Sequence, residues 1–477
     1  MSPTETTVFA VVLVGVMMIT GPERGLWALL ISLPFGVASA FNLPALGGSS
    51  MLVSDIAALT FAALILGRLF IGGQSLQLNF LPLSAWIVAM LAYCMFITFF
   101  GPRIFENQID VFTIGRSGTH DYIVRTTLHP SSKNVSQLLV FGISLTVCLA
   151  ILLANAKKIC WAFLPAVIAM TLMHLALCLA DVVTYLTNRA ELLSFIRNAN
   201  YSVLYDHEIE GIKRVIGGFA EASAAGNFSL ALFGFWLVYW MRGGSFSQSW
   251  LLVVGSLAVV FASGSSAGFV ALSIFLLIVF AYSFLVHPDE QLARRGGFLV
   301  FALFAVMPLT VAGVFVLAET NPGFGAYFDR LLFSKLESDS GVERMMWNRH
   351  ALNTAIESNL IGVGLGSVRS SNFLIACLST LGLIGSLIYF GLLLSFSLSR
   401  PIGNVRDERT ILAHAARGAC LALFCKAIVT KSSPDLEVVF FAFLGVAVLL
   451  QRPMPKPNFV HRLERFPAGL STNNRLE

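Results

Sequence analysis

The sequence is short of charged residues. Asp, Glu, Lys and Arg make up 12% of its 477 residues, whereas hydrophobic residues make up 56%. A soluble domain carries about 25% charged residues, and the deficit here extends along the chain rather than marking one anchor. Together with a mean hydropathy of +0.79, this composition excludes a soluble globular enzyme. It predicts an all-α, polytopic integral membrane protein.

Sequence signals for several kinds of chemistry are also missing. The chain has no Walker A loop, no His-Glu-x-x-His stretch and no Asp-x-Asp pair, so it lacks the usual nucleotide and divalent-metal motifs. A net charge of +5 gives no nucleic-acid signature. We therefore expect no metal, no cofactor and no nucleic-acid partner. The seven cysteines lie in or beside apolar runs without metal-ligand spacing, and we interpret them as small core residues: Cys94, Cys148, Cys160, Cys178, Cys377, Cys420 and Cys425.

Apolar runs of bilayer length recur throughout the chain. A membrane helix needs about 20 apolar residues, and the runs predict twelve to fourteen spans in a single transmembrane domain, 1–451. The first run has no basic segment ahead of it, so we expect no cleavable signal peptide. The predicted spans are 7–20, 25–42, 52–71, 82–101, 135–155, 160–186, 219–241, 247–263, 265–286, 296–318, 372–398, 410–430 and 435–451.

Lysine and arginine residues in the short loops predict the orientation of the protein. They fall on one common side, which the positive-inside rule assigns to the cytoplasm together with the basic tail, 452–477. Three long loops, about 102–134, 187–218 and 319–371, then face outward. Loops of this length are uncommon and tend to be functional. We therefore expect the chemistry of the protein in the outer loops.

The first group of candidate site residues opens the helix after the second long loop. Arg214 stands just ahead of that helix, and its first turns contain Glu221, Ser223 and Asn227. Ionisable residues among apolar and small residues are costly and usually face a cavity or a partner. The alternative interpretation is that Arg214 extends to the membrane interface while Glu221 pairs with it or caps the helix.

The second group lies in the third long loop. The pattern of apolar and charged residues over 342–357 predicts a short amphipathic helix at the membrane surface. On this helix, Arg344 and His350 could present a cation and a proton acceptor to a ligand at the level of the headgroups. The alternative is a solvated helix face that Trp347 anchors in the interface.

A glycine run, Ile361-Gly-Val-Gly-Leu-Gly-Ser367, follows that helix. No strand precedes it, so a dinucleotide-binding fold is excluded, but glycines permit a tight path that could expose N–H groups to an anion. Arg369 comes next, and Asn372 either contacts a ligand or, with Ser371, caps the next helix. The cluster Ser263–Ser266 has no His or Asp nearby in the sequence, and we interpret it as a turn.

Taken in order, these segments resemble the O-antigen ligase and polymerase family of bacterial surface-polysaccharide enzymes. The resemblance rests on Arg-x-x-Gly-x-Phe-x-Glu-x-Ser at Arg214–Ser223, on Arg-x-x-Trp at Arg344–Trp347, and on the glycine run ahead of a helix with Gly382 and Gly385. It covers roughly residues 210–400. The first half of the chain agrees with the family only in having serial spans.

The resemblance implies a multi-pass protein of the bacterial inner membrane whose active site faces the periplasm. It also implies an undecaprenyl-pyrophosphate-linked oligosaccharide as donor, metal-independent transfer with inversion, and a chain-length regulator as a partner. A departing diphosphate needs nearby positive charge, and the planar fork of arginine suits phosphate oxygens. The expected catalytic residues are Arg214, Arg344, Glu221 and His350. The expected substrate-binding residues are Arg189, Arg197, Ser223, Trp347, Arg369 and Asn372.

One position departs from the family pattern. Ligases of the family usually have a histidine before the asparagine that opens the late helix, where it is thought to activate the acceptor hydroxyl; this chain has Ser371. The departure favours polymerisation of exopolysaccharide or O-antigen repeat units over a ligase that moves a finished glycan to a lipid acceptor. A flippase or transporter of lipid-linked oligosaccharide and a non-enzymatic assembly factor remain as alternatives. A flippase would have two similar halves and charges within its spans.

Overall fold

The structure is a computed structural model that describes residues 2–43, 49–71, 81–117, 120–200, 208–209, 212–285, 295, 320, 325, 339–398 and 407–451. Helices dominate this part of the chain. They are α1 (Thr7–Thr20), α2 (Leu26–Ser32), α3 (Val53–Ile71), α4 (Leu81–Ile104), α5 (Ser132–Leu153), α6 (Ala156–Leu186), α7 (Ala222–Met241), α8 (Ser249–Ala262), α9 (Ser266–Leu285), α10 (Asp339–Glu357), α11 (Phe373–Leu398), α12 (Glu408–Thr430) and α13 (Glu437–Gln451).

Short antiparallel strands lie between some of the helices. The strands β1 (Ser2–Pro3), β2 (Ser39–Leu43) and β3 (Ser49–Leu52) form one sheet. A hairpin consists of β4 (Asp110–Ser117) and β5 (His120–Thr127), and β6 (Glu208–Ile209) pairs with β7 (Ile212–Lys213). A 3-10 helix occupies Ala190–Ile196. The described architecture is thus all-α with small strand pairs.

The helices have the length and the outer surface that a bilayer requires. Within the described ranges, seven are long and apolar enough to cross a membrane: 82–104, 132–153, 156–186, 222–241, 266–283, 373–397 and 408–430. The helices α1, α8 and α13 are apolar but shorter. Large apolar side chains such as Ile19, Met95 and Trp161 are exposed on outer helix faces, where hydrocarbon rather than water is the favourable neighbour. The protein is an all-α polytopic membrane protein, as predicted.

The predicted span 25–42 is not one continuous helix, although the chain here runs back along α1 to β2, which pairs with the strand that precedes α1. The run 25–42 gives only the seven-residue helix α2, and the chain then becomes extended in β2. Pro34 follows the last turn of α2 and favours its end, because proline lacks the N–H that would continue the helix and crowds the preceding turn. The released segment packs on the start of α7 instead, where Val37 donates its N–H to the carbonyl oxygen of Gly218 over 3.1 Å. The predicted span 296–318 and the tail 452–477 lie outside the described residues.

The long loops contain ordered elements. The loop 102–134 holds the β4–β5 hairpin, and the loop 187–218 holds the 3-10 helix and the β6–β7 pair. The amphipathic helix predicted over 342–357 is confirmed as α10, which begins three residues earlier, at Asp339. The exposed residues of α10 are of both kinds: the apolar ones are Val342, Met345, Met346, Leu352 and Ile356, and the polar ones are Glu343, Arg349, Asn353 and Glu357.

The helices α7 and α12 form the centre of the bundle and run antiparallel. Near the end of α7, the Tyr239 hydroxyl donates to the carboxylate of Glu408 at the start of α12, over 2.5 Å. Midway, a Cβ at Gly418 would lie 2.6 Å from the carbonyl oxygen of Gly234. The two backbones can approach this closely only because both positions are glycine. The start of α7 and the end of α12 therefore meet at the other end of the bundle, where the candidate residues lie.

Candidate functional site

The turn between α8 and α9 anchors the candidate site. Arg214 donates from Nε to the carbonyl oxygen of Ser263 over 2.9 Å, and Lys426 donates from Nζ to Oγ of Ser265 over 3.0 Å. Gly226 of α7 faces the same turn, since a Cβ there would lie 2.4 Å from Oγ of Ser263. The turn predicted from the serine cluster is confirmed. Its function in the fold is to fix two basic side chains that are far apart in sequence.

Three further charged side chains act electrostatically on Lys426, which binds this turn. Arg344, Glu221 and Arg214 all interact electrostatically with the ammonium group of Lys426. The structure thus unites three of the residues that the sequence singled out, from the start of α7 and from α10, and adds a fourth from α12. Three cations against one carboxylate leave excess positive charge, whose field is stronger away from bulk water than in it.

Lys426 is the residue that sequence reasoning missed. It is 4% exposed and lies in a helix apolar enough to span a membrane. A lysine near the end of an apolar run normally extends its ammonium to the headgroups, which is why the sequence alone gave it no weight. A buried cation in such a helix is expensive and is usually functional. Its isolation within an otherwise uncharged stretch, 418–430, was the available signal.

The first turns of α7 add polar groups to the cluster. The backbone of Glu221 occupies the N-cap position, but its side chain makes no capping hydrogen bond. The carboxylate is exposed and instead accepts a hydrogen bond from the Ser223 hydroxyl. Asn227, one turn further along, has a buried Oδ1 with no hydrogen-bond partner in the described part of the protein. A buried polar atom of this kind needs a water molecule or a ligand.

A buried ion pair holds the turn at residues 214–217. Asp181 Oδ1 accepts from Arg197 Nη2 over 2.7 Å, and the side chains are 3% and 1% exposed, respectively. Asp181 Oδ2 accepts from the N–H of Ile216 at 2.8 Å and of Gly217 at 3.3 Å. Arg197 also donates to the Gly217 carbonyl oxygen, from Nε at 3.1 Å and Nη2 at 2.6 Å. Arg197 thus fixes the backbone beside the site; its predicted contact with substrate stays a prediction.

The remaining candidates on and near α10 lie beside the β4–β5 hairpin, where Arg369 donates its N–H to the carbonyl oxygen of Phe112 over 2.8 Å. Trp347 is buried, and the guanidinium carbon of Arg369 lies 5.1 Å from the centroid of its ring. His350 points to the hairpin, where its ring meets Phe112 edge-on at 4.8 Å and its Nδ1 is buried without a described partner. Arg189 is exposed at the start of the 3-10 helix. The described contacts therefore do not bring His350 or Arg189 to the charged cluster.

The glycine run wraps around a break in α11. Gly362, Gly364 and Gly366 have φ angles of +92°, +86° and +75°, a region that favours glycine. The break lies at Gly382, with φ 70° and ψ −174°. The N–H groups of Val363 and Gly364 donate to the carbonyl oxygens of residues 379 and 380, over 3.0 and 2.9 Å. The tight path is confirmed, but these two N–H groups are occupied by the fold and do not await an anion.

Asn372 caps α11, as one of the two interpretations predicted. Its Oδ1 accepts from the N–H of Leu374 at 3.0 Å and of Ile375 at 3.2 Å. Its Nδ2 donates to the carbonyl oxygen of Ile428 over 2.9 Å. The cap therefore joins the start of α11 to the last turns of α12, close to Lys426. A direct contact between Asn372 and substrate stays a prediction.

The described ranges contain no group of three or more His, Cys, Asp and Glu residues placed to hold a metal ion. No protein-family model matches the chain, and no curated protein matches it either. The function must therefore be inferred from the geometry of the cluster and from the chemistry of its side chains.

Proposed function

We propose that the protein is a membrane glycosyltransferase that polymerises lipid-linked oligosaccharide repeat units. The donor is an oligosaccharide on undecaprenyl pyrophosphate, the product is an exopolysaccharide or an O-antigen, and the reaction takes place at the outer face of the bacterial inner membrane. Arg214 and Lys426 both bind the α8–α9 turn, and Arg344 lies within electrostatic range of Lys426; this group of three cations supports the proposal. Such a set of cations suits a ligand with concentrated negative charge, and a lipid diphosphate brings that charge to the membrane surface.

The cluster contains side chains that could stabilise the negative charge of the departing diphosphate and accept the proton of the acceptor hydroxyl. The hydroxyl oxygen of the acceptor sugar bonds to the anomeric carbon of the donor as the bond from that carbon to the diphosphate oxygen breaks, which inverts the centre. The guanidinium groups of Arg214 and Arg344 and the ammonium of Lys426 stabilise the departing diphosphate. The exposed carboxylate of Glu221 accepts the hydroxyl proton. Because side chains supply the positive charge, the transfer requires no divalent metal.

The outer face of α10 supports a substrate that is itself a lipid. Val342, Met345 and Met346 are exposed on the helix that carries Arg344. An amphipathic helix with such a face lies in the interface with its apolar side towards the acyl chains. Arg344 is then held at the depth of the phosphate groups, while the isoprenoid chain of the donor stays in the hydrocarbon.

The direct test is substitution of the two arginines. Arg214→Ala and Arg344→Ala should each lower polymer formation by about 100-fold or more, since loss of one transition-state donor has this effect in other enzymes. Lysine at either position should restore little, because the bidentate fork is lost. Arg103 is exposed and stacks on Phe99 of its own helix, so Arg103→Ala is the matched control. Wild-type polymer in an arginine variant of normal abundance would remove that residue from the mechanism.

The products that accumulate separate the three activities. Loss of a polymerase leaves single repeat units on the carrier or the acceptor, whereas loss of a ligase leaves long chains on the carrier. Loss of a flippase would leave single units inside the cell. Purified protein with lipid-linked repeat units should polymerise them in the presence of a chelator. Activity that vanishes with the chelator and returns with magnesium or manganese would contradict the mechanism.

A further inference from the structure

The charged cluster has a neutral neighbour in α7. Asn227 lies one turn beyond Ser223, and its Oδ1 is buried without a hydrogen-bond partner in the described part of the protein. An amide oxygen that gives up water without gaining a donor destabilises the folded state. An apolar side chain of similar shape would avoid this cost, so the asparagine is expected to meet its partner when a ligand binds.

The register of two packed helices places Asn227 at the level of Lys426. A Cβ at Gly234 of α7 would lie 2.7 Å from the carbonyl oxygen of Gly418 of α12, so these two positions face each other. Asn227 lies seven residues before Gly234, which is about two turns and hence the same face of the helix. Because α7 and α12 are antiparallel, the matching position on α12 is Cys425, the residue before Lys426.

The α8–α9 turn gives an independent indication of the same closeness. A Cβ at Gly226, the residue before Asn227, would lie 3.9 Å from the Cβ of Ser265. The hydroxyl oxygen of Ser265 accepts the hydrogen bond from the ammonium of Lys426 over 3.0 Å. Two observations, one on α12 and one on the turn, therefore place Asn227 beside the cations of the cluster.

The unpaired atom of Asn227 is a hydrogen-bond acceptor, and this property decides what can bind it. An amide oxygen accepts hydrogen bonds and donates none. The ionised oxygens of a diphosphate are also acceptors, so they cannot pair with Oδ1. A sugar hydroxyl or an acetamido N–H can donate to it. In the proposed donor, the sugar bonded directly to the diphosphate is the group that must lie beside the cations.

We propose that Asn227 binds the first sugar of the donor, the one bonded to the diphosphate, by accepting a hydrogen bond at Oδ1 from a hydroxyl or acetamido group of that ring. The inference rests on the proposed function, because it takes the lipid-linked oligosaccharide as the ligand. The cations hold the diphosphate and Asn227 holds the sugar, so the bond that breaks lies between them. Asn227 thereby makes the site prefer the glycosylated carrier to the bare undecaprenyl pyrophosphate that the transfer releases.

The test compares two lipids that differ only in the sugar, with the purified full-length protein and native mass spectrometry. One is the lipid-linked repeat unit that accumulates in a strain without the protein, and the other is undecaprenyl pyrophosphate alone. Asn227→Leu should bind the repeat unit about threefold to tenfold more weakly than the wild type, the effect of one hydrogen bond between neutral groups. Its affinity for undecaprenyl pyrophosphate should stay unchanged, and its melting temperature should stay or rise because the unpaired oxygen is gone.

Three further variants complete the comparison. Asn227→Asp keeps an acceptor oxygen in place, so it should retain the difference in affinity between the two lipids even though its charge weakens the binding of both. Asn227→Ala should lose the difference as leucine does, and it replaces Asn227→Leu if the larger side chain prevents folding. Ser256→Ala is the matched control, because Ser256 is buried in α8 with an Oγ that has no described partner, about two turns before the α8–α9 turn. It should bind both lipids as the wild type does.

The outcomes separate this inference from the function on which it rests. Equal affinity of the wild type for the two lipids, or unchanged binding of the repeat unit by Asn227→Leu, would overturn the assignment of the sugar. Equal weakening of both lipids by Asn227→Leu would show that the amide acts on the diphosphate or only supports the fold, and would overturn it too. Loss of the difference in Asn227→Asp would contradict an acceptor role. A wild-type protein that binds neither lipid would instead contradict the proposed function, and this inference with it.

Discussion

At the scale of single residues, the most informative feature is a buried lysine that costs stability. The ammonium of Lys426 is bonded to Ser265 and is close enough to Arg214 and Arg344 for mutual repulsion. Burial of a charge among like charges opposes folding. A position of this kind persists where function requires the charge, and removal of the charge should separate function from stability.

Lys426→Met should therefore lower polymer formation while it maintains or raises the melting temperature. Methionine keeps the length of the side chain and removes both the desolvation cost and the repulsion. We expect a loss of activity on the order of 100-fold, as for other groups that stabilise a developing anion. Lys158→Met is the control, since Lys158 is exposed at the other end of the bundle. Normal polymer from Lys426→Met, or a large fall in its melting temperature, would contradict this role.

The ion pair of Asp181 and Arg197 has the opposite character, because it supports the fold around the site. Asp181→Asn leaves a guanidinium buried without its counter-ion and should lower the free energy of unfolding by about 3–5 kcal/mol. In the pair Arg125–Asp110 the side chains are 62% and 44% exposed. Asp110→Asn should therefore change the free energy of unfolding by about 1 kcal/mol or less.

Thermal unfolding in detergent measures the loss of stability in Asp181→Asn and in Asp110→Asn. The double variant Asp181→Asn/Arg197→Gln should be more stable than Asp181→Asn alone, because the buried guanidinium is gone and only Lys213, whose Nζ lies 3.9 Å from Asp181 Oδ1, loses its counter-ion. If Asp181→Asn unfolds no more readily than Asp110→Asn, the pair does not hold the turn that carries Arg214.

At the scale of elements, the sequence predicts the helices and turns that follow from a local pattern of residues. The helix over 342–357 follows from its amphipathic spacing, and the division between α8 and α9 follows from the serine cluster. The run 25–42 is not a continuous helix as its apolar length suggested, since α2 ends just before Pro34. The contacts of Lys426 with Ser265 and of Asp181 with Arg197 join residues from different helices. No local periodicity encodes such pairs, so the expectation that Arg214 and Arg344 act together on one diphosphate rested on the chemistry that the family resemblance implies, and not on the sequence pattern.

Two glycine positions make a matched test of helix packing. A Cβ at Gly418 would lie 2.6 Å from the Gly234 carbonyl oxygen, whereas a Cβ at Gly15 of α1 would have no atom within 4 Å. Gly15→Ala should raise the free energy of unfolding by roughly 0.5–1 kcal/mol, because alanine loses less backbone entropy in a helix. Gly418→Ala should lower it by about 1–3 kcal/mol through overpacking. Melting temperatures that move in the same direction would show that α7 and α12 do not depend on this close approach.

At the scale of the whole molecule, the bundle has two chemically different ends. One end carries the charged cluster, where α7 begins and α12 ends, with Arg214 and Lys426 on the α8–α9 turn. The other end carries Lys157, Lys158 and Arg242, where α6 begins and α7 ends. The sequence assigned these last residues to the cytoplasm by the positive-inside rule, and the fold places them at the same end. With that assignment the charged cluster faces outward, where the proposed polymerisation of repeat units would take place.

Single cysteines at the two ends test this orientation. Glu357 is exposed at the end of α10, the helix that carries Arg344, and Ser247 is exposed in the turn after α7, at the opposite end of the bundle. The seven native cysteines are buried or half-buried, so they should react slowly with a charged maleimide. In intact spheroplasts, the reagent should label Glu357→Cys, and it should label Ser247→Cys only after the membrane is opened.

Lys158→Cys provides an independent check of the orientation. It lies at the start of α6, whereas Ser247 lies between α7 and α8, and the two cysteines should be labelled under the same conditions. The reverse pattern would place Arg214, Arg344 and Lys426 towards the cytoplasm. The cluster would then meet lipid diphosphates before their export. The proposed polymerase would be excluded, while the geometry of the anion site would remain, and a transfer or loading step on the cytoplasmic face would become the function to test. Orientation therefore decides between functions that the chemistry of the cluster alone does not separate.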